Sequence, residues 1–345
     1  MLQIRTLFLP LIPIYWFIIQ LRCFLFSRNI FKSRSLSPFV ISVGNLSFGG
    51  TGKTPMVIAL AKWLQDQNIE VGILTRGYGR GTNNTVLISP NPDEKLNWHD
   101  VGDEPFLMAK KLPGIPIVAD SNRIRGGQFL VKNFNPRIII LDDGFQHLAI
   151  KRDFNILLIN SSTRIGDLAL FPLGKLREPW NNIRRADMLI LTKSNVFTPT
   201  AQLREKVEKT NIPCYDGDLV RASEVRGINN RKISEKDLRN KTVLLISAVG
   251  DPESFVKTAS DLPIAIQERI HFRDHHRFNT KDVKRILNKF QISKIDLMLT
   301  TEKDLVRFGS LIPDDISLYA LPINVSIPGQ VKKTILSLLD PDSNN

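Results

Sequence analysis

The stretch "SVGNLSFGGTGKTP", residues Ser42–Pro55, decides how the rest of the chain is read. The apolar run Phe39-Val40-Ile41 precedes it and suits a buried strand. Met56 to Leu64 follows, with apolar residues at helical spacing. Between them, Gly49, Gly50 and Gly52 let the backbone curl so that successive N–H groups point at one anion. Lys53 can neutralise β- and γ-phosphates, and the Thr54 hydroxyl can ligate Mg²⁺. The helix N-terminus adds partial positive charge. Ser47, Phe48 and Thr51 complete the loop, with Ser47 standing where the general phosphate-loop pattern expects a glycine. The plainer alternative is a glycine-rich turn with a chance Gly-Lys-Thr. The strand before and the helix after argue against it.

Outward from this loop, strand-like runs alternate with helical patterns, the signature of a mainly parallel sheet flanked by helices. The expected fold is therefore α/β, P-loop NTPase-like, with a second, smaller α/β domain. Residues 36–214 form the expected P-loop domain. From 215 to 241 the long apolar runs give way to Gly, Asn and charge, which reads as a linker. Residues 242–345 form the expected smaller domain, opening on "TVLLISAVG".

The bulk properties are those of an ordinary globular protein: 345 residues, 42% hydrophobic and 23% charged. Cys23 and Cys214 make no metal or disulfide spacing, which fits a reducing compartment. A net charge of +13 fits nucleic acid, an anionic membrane or a phosphorylated substrate. Its distribution narrows the choice, because no Asp or Glu precedes Asp66 while Arg5, Arg22, Arg28, Lys32 and Arg34 crowd the start. Between Arg5 and Arg22 lies an uncharged, mostly apolar run holding Tyr15 and Trp16. It is shorter than the ~20 apolar residues of a span and is interrupted by Pro10 and Pro13. Residues 1–35 are therefore expected to be a membrane-associated helical anchor lying in the interface. A core helix flanked by surface charge is the alternative.

Further motifs carry chemistry. "IIILDDG" ends a buried strand in Asp142 and Asp143, placed as a Walker-B-like pair to hold Mg²⁺. "TRGYGR" sets Arg76, Tyr78 and Arg80 in a glycine-rich loop that can approach a phosphate or sugar, or be a solvated turn. "GDEP" offers Asp103 and Glu104, either as chemistry or as charges balancing a helix dipole. "FRDHHRF" holds His275 and His276, which read as a weak metal site, one catalytic imidazole or a surface cluster.

Taken in order, "VGNLSFGGTGKTP", "TRGYGR", "GDEP", "LDDGFQH", "PLGKLREP", "DHH" and "LTTEKD" resemble the tetraacyldisaccharide 4'-kinases of lipid A biosynthesis, over most of the chain to about Phe308. Within that family Ser47 is no departure. The resemblance implies a kinase moving the γ-phosphate of ATP, with Mg²⁺, onto the 4'-hydroxyl of tetraacyldisaccharide 1-phosphate to give lipid IVA. It places that kinase at the cytoplasmic face of the bacterial inner membrane, without nucleic acid and as an expected monomer. It implies Asp103 as base, aided by a histidine of "DHH", with His275 the better match, and Lys53 on the phosphates. It implies substrate contacts for Arg76, Tyr78, Arg80, Glu104, Arg123, His147, Arg177 and Glu178, with Glu178 orienting its neighbours. A membrane-bound partitioning ATPase is the alternative, although its loop carries an early lysine where this chain has Leu46-Ser47-Phe48. A nucleic-acid-binding protein ranks last, for want of any matching motif.

Overall fold

The computed structural model describes residues 10–81, 84–88, 97–228 and 231–340. Arg5 and the rest of the first nine residues of the expected anchor lie outside them. The chain divides into two compact units, one holding residues up to 218 together with those from 325 onward, the other residues 219–324.

The first unit is built on an eight-stranded sheet. In chain order its strands are β1 (Phe39–Gly44), β2 (Val71–Thr75), β3 (Val86–Ile88), β4 (Ile117–Ala119), β5 (Ile138–Asp142), β6 (Phe154–Asn160), β7 (Met188–Thr192) and β8 (Cys214–Gly217). In space the order is β3-β4-β2-β5-β1-β6-β7-β8, parallel throughout except that β3 runs antiparallel to β4. Strands β2, β5 and β7 are buried at every position, which is why they read as unbroken apolar runs. Register brings the chemistry together: Val43 lies opposite Asp142 and Leu74 opposite Leu141. The C-terminal ends of β1, β2 and β5 therefore converge where β1 enters the glycine-rich loop. That edge is where open α/β sheets bind ligands.

The helices of this unit are α1 (Leu11–Ser27), α2 (Lys53–Asp66), α3 (Trp98–Val101), α4 (Asp103–Lys111), α5 (Arg123–Phe134) and α6 (Ala201–Glu208). Helix α2 starts from Gly52 at φ 81°, a left-handed turn that a side chain adopts only under strain. It buries Met56, Val57, Leu60, Ala61 and Leu64 against the sheet, then stops where Asn68 turns left-handed at φ 58°. Asn122 caps α5 by accepting from the Arg125 N–H. Helix α1 differs from all of these, for it buries no residue and carries a single charge, Arg22. Among the described residues no helix is long and apolar enough to cross a membrane.

The second unit contains β9 (Leu219–Arg221), β10 (Glu224–Gly227), β11 (Lys232–Ser234), β12 (Lys241–Ser247), α7 (Pro252–Ser260), β13 (Ile264–His271), α8 (Thr280–Ile292), β14 (Leu297–Thr301), α9 (Glu302–Phe308) and β15 (Leu318–Leu321). Six of its strands form a sheet in the order β11-β10-β15-β14-β12-β13. Strand β9 pairs with β16 (Ile323–Val325) as a separate ribbon.

Two expectations about domains are corrected. Residues 215–241 are not a linker, because they hold the end of β8 and all of β9, β10 and β11. These strands are short and partly exposed, so they lack the apolar runs that announce buried strands. Nor does the chain from 242 to its end form one domain, since helix α10 (Gly329–Leu339) belongs to the first unit. It buries Val331 and Ile335, sets Lys332 over the Trp63 ring and leads to an Arg137–Asp340 ion pair. Its apolar spacing says that it covers something but not which sheet.

Candidate active site

The glycine-rich loop is held in shape by Asn45, the residue that follows β1. Its side-chain amide donates to the Ser47 carbonyl and the Thr51 hydroxyl, both at 2.8 Å. From the far side, Thr192 donates to the Thr51 carbonyl at 3.0 Å and Lys193 to the Gly50 carbonyl at 3.0 Å. Phe48 donates its N–H to the Lys175 carbonyl at 2.8 Å, tying the loop to the segment that carries Arg177. Lys53 opens α2, and its ammonium lies 3.2 Å from Asn45 Oδ1 and 3.6 Å from Asp143 Oδ1. Thr54 is buried beside it.

Asp143 also receives the Arg177 guanidinium as a fork, at 3.0 Å and 2.9 Å, and Arg177 bonds the Asn45 carbonyl and side-chain oxygen as well. Burial raises the Asp143 carboxyl, but Lys53 and Arg177 outweigh it and hold the group far below the usual carboxylate range. Asp142 behaves oppositely. Burial, with Glu104 and Asp143 nearby, pushes its carboxyl up to about 7. Its Oδ2 accepts from Thr75 at 2.8 Å, while its buried Oδ1 has no hydrogen-bond partner. An unpartnered buried carboxylate oxygen is costly unless something absent supplies the partner. A hard divalent cation suits a donor set of Asp142, Asp143 and Thr54 oxygens.

Arg123 approaches from α5. It is buried, donates to the Asp120 carbonyl at 2.7 Å and the Asp142 carbonyl at 3.2 Å, and keeps a buried Nε without a partner. His147 stays neutral, since burial and the neighbouring Arg123 push it down to about 4. Arg76 is exposed, close enough to act electrostatically on both Arg123 and His147.

The "TRGYGR" and "GDEP" loops meet backbone to backbone. Gly102 sits at φ 97°, and a Cβ there would lie 2.8 Å from the Tyr78 carbonyl oxygen. Gly102 begins α4, whose first residues are Asp103 and Glu104. Asp103 is buried, and its carboxylate caps the Glu104 N–H at 2.8 Å. Tyr78 is exposed. Arg80 turns inward, donating to the Ala119 and Asn84 carbonyls, so it braces the loop.

The profile of the Tetraacyldisaccharide-1-P 4'-kinase family matches residues 4–340. The chain belongs to that family. It is similar to the tetraacyldisaccharide 4'-kinase of Desulfatibacillum aliphaticivorans, 36% identical over 90% of this chain and 85% of the relative. Against the enzyme of that name from Aquifex aeolicus it is 37% identical over 88% of this chain and 90% of the relative. The crystal structure of Aquifex aeolicus LpxK in complex with ATP covers 97% of this chain and 99% of that one, with a TM-score of 0.77 and 34% identity. The activity is that of a kinase, ATP-dependent 4'-phosphorylation of the lipid A disaccharide precursor. The partitioning-ATPase alternative is thereby set aside.

The other residues expected at the site lie deeper in the scaffold or in the second unit. Glu178 is buried and accepts from Asn182 at 2.8 Å and from the Arg185 guanidinium, not from the arginines it was expected to orient. In the second unit, His275 Nδ1 lies 3.0 Å from an Arg307 N–H donor. The adjacent His276 bonds Asp282 at 2.9 Å and stacks on Phe272 at 4.7 Å, so its ring is committed to packing. Among the described residues no metal-binding group of three or more His, Cys, Asp and Glu side chains occurs, so the histidine run is no metal centre there. Sequence reasoning missed Asn45, Thr75 and Lys193 as site residues. Asn45 and Thr75 stand at the C-terminal ends of β1 and β2 and Lys193 just beyond β7, a position that an assignment of strands alone would have flagged.

Proposed function

We propose that Lys53 and Arg177 take the β- and γ-phosphates of ATP in exchange for Asp143. That exchange frees Asp143 to join Asp142 and Thr54 around Mg²⁺. The supporting observation is the orphaned Asp142 Oδ1 beside Asp143, Lys53 and Arg177. When bound, the ion neutralises charge developing on the transferred phosphoryl group. Asp103 accepts the proton of the 4'-hydroxyl. Arg76, Tyr78, Arg123 and His147 face the headgroup. Arginine forks suit its 1-phosphate and the phosphate in transit.

The acceptor is a lipid, and two apolar surfaces fit it. Helix α1 exposes Ile14, Trp16, Phe17, Ile18 and Phe24, each more than 40% exposed. Beside the phosphate loop, Phe48, Phe171 and Leu173 are each more than half exposed. We infer that both rest in the headgroup boundary of the cytoplasmic face of the inner membrane, with Arg22 and Arg28 on anionic lipids.

Radiolabelled ATP with purified tetraacyldisaccharide 1-phosphate tests the chemistry. Asp103→Ala should lower kcat by about 10²–10⁴-fold with KM for ATP unchanged. Wild-type kcat in that variant would remove Asp103 as the base. Removing residues 1–27 should abolish flotation with anionic vesicles, and undiminished flotation would place the anchor elsewhere.

A further inference from the structure

Thr192 and Lys193 stand in the run "LTKSN", Leu191–Asn195, to which the mechanism above gives no task. We propose that they are positioning residues, a clamp that keeps the carbonyls of Gly50 and Thr51 turned away from the phosphates of ATP. This rests on the reading of the glycine-rich loop as the phosphate site and specifies what keeps that loop receptive.

The loop does little to hold itself. Gly49 stands at φ 106° and Gly52 at φ 81°, and a glycine takes either hand of the backbone at small cost. The peptide groups between them are free to turn over. A peptide so turned would aim a carbonyl oxygen where an anion needs an N–H.

The clamp acts on two successive peptide groups. The first joins Gly50 to Thr51. Its carbonyl accepts from the Lys193 ammonium at 3.0 Å and the Asn160 amide at 3.4 Å, and its N–H is donated to the Gly49 carbonyl at 3.0 Å. The second joins Thr51 to Gly52, and its carbonyl accepts from the Thr192 hydroxyl at 3.0 Å. In a planar trans peptide the N–H points opposite to the C=O, so the Gly52 N–H faces away from Thr192. It has no acceptor among the described residues. The N–H groups of Lys53 and Thr54 follow at the start of α2, where a helix supplies no partner of its own. Three successive donors are thus left for an anion.

Two further facts favour positioning over stability as the reason for this arrangement. Lys193 is 7% exposed, and taking an ammonium out of water costs more than a bond to a carbonyl returns. It also sits at φ 63°, a left-handed conformation that a non-glycine residue holds only where its surroundings over-determine it.

Calorimetric titration of the full-length protein with ATP, ADP and AMP, each with Mg²⁺, reads the clamp, because AMP lacks the β- and γ-phosphates. Lys193→Met should weaken ATP and ADP about tenfold and leave AMP and the KM for the lipid acceptor unchanged. Thr192→Val keeps the side chain's shape and loses only the hydroxyl, so it tests the same clamp without touching the buried ammonium. It should weaken ATP and ADP about fivefold, and Thr192→Ser should restore them. Wild-type ATP and ADP binding in either folded variant, Lys193→Met or Thr192→Val, would overturn the proposal. An equal loss for AMP would overturn it too, by moving the action of Lys193 to the nucleoside. Lys53→Ala at wild-type turnover would sink the phosphate reading itself. A crippled Lys53→Ala beside an unaffected Lys193→Met would remove the clamp alone.

Discussion

Asp142 in the first unit and Asp304 in the second make an instructive pair. Each lies at or just beyond the C-terminal end of a parallel strand, each is buried, and in each burial pushes the carboxyl upward. Asp304 has all its needs met from within, by two backbone or hydroxyl donors and a guanidinium. Asp142 has one donor, Thr75, an oxygen with none, and two carboxylates for neighbours. A filled set of partners marks a support. A deficit marks a place where a ligand completes the set, because a fold has no reason of its own to leave a buried oxygen bare.

That contrast can be broken by experiment. Lys53→Ala should have the largest effect, lowering turnover by about 10²–10³-fold or more while the thermal midpoint stays close to wild type. Full activity in a folded variant would show that the deficit at Asp142 and Asp143 is not a phosphate site. Asp304→Asn comes next, because the amide offers one acceptor where the carboxylate offered two and leaves Arg307 without its counter-charge. Urea unfolding should show a loss of about 3 kcal/mol. A loss below about 1 kcal/mol would mean that Asp304 is no support.

Asp142→Asn should act in the opposite sense on stability while abolishing kinase activity. The folded-state pKa of Asp142 lies above its unfolded value, so its contribution is intact below the ordinary carboxylate range and is lost as pH rises through about 7. In metal-free buffer the variant should therefore match wild type near pH 4 and pull ahead by pH 8, by on the order of 2 kcal/mol. A variant less stable than wild type at pH 8 would erase the distinction between the two aspartates.

Much of the first unit was legible because its central strands are buried on both faces. The runs around Val40, Ile140 and Ile190 could be little else, and the loop at Gly49–Lys53 has an anion's shape in its residue types. The partners of Arg177 were not legible. Asn45 stands 132 positions earlier, and only register and loop pairing bring it within bonding distance. The unit boundaries were hidden for a different reason. Strands β9 to β11 spend their residues on exposed faces, and α10 carries the apolar stripe that any surface helix shows. The contacts of "TTEKD" were not legible either, because Asp304 pairs with Arg307 three residues on, and Arg307 in turn reaches His275, 32 positions upstream.

Helix α1 is fastened along its length. The Tyr15 hydroxyl donates to the Arg177 carbonyl at 2.8 Å, Arg22 donates to the Gln146 carbonyl at 2.9 Å, and Asn182 reaches the Cys23 sulfur at 3.6 Å. Gln146 in turn donates to the Asn45 carbonyl at 2.9 Å. These bonds make a rod roughly 25 Å long into a gauge. On the proposed placement of α1 at the lipid surface, the phosphate loop would ride at a set height, and acceptor headgroups would need only to drift sideways to meet it. Rate should then follow the mole fraction of acceptor in the surface, and diluting that surface with inert lipid should slow turnover at constant bulk concentration.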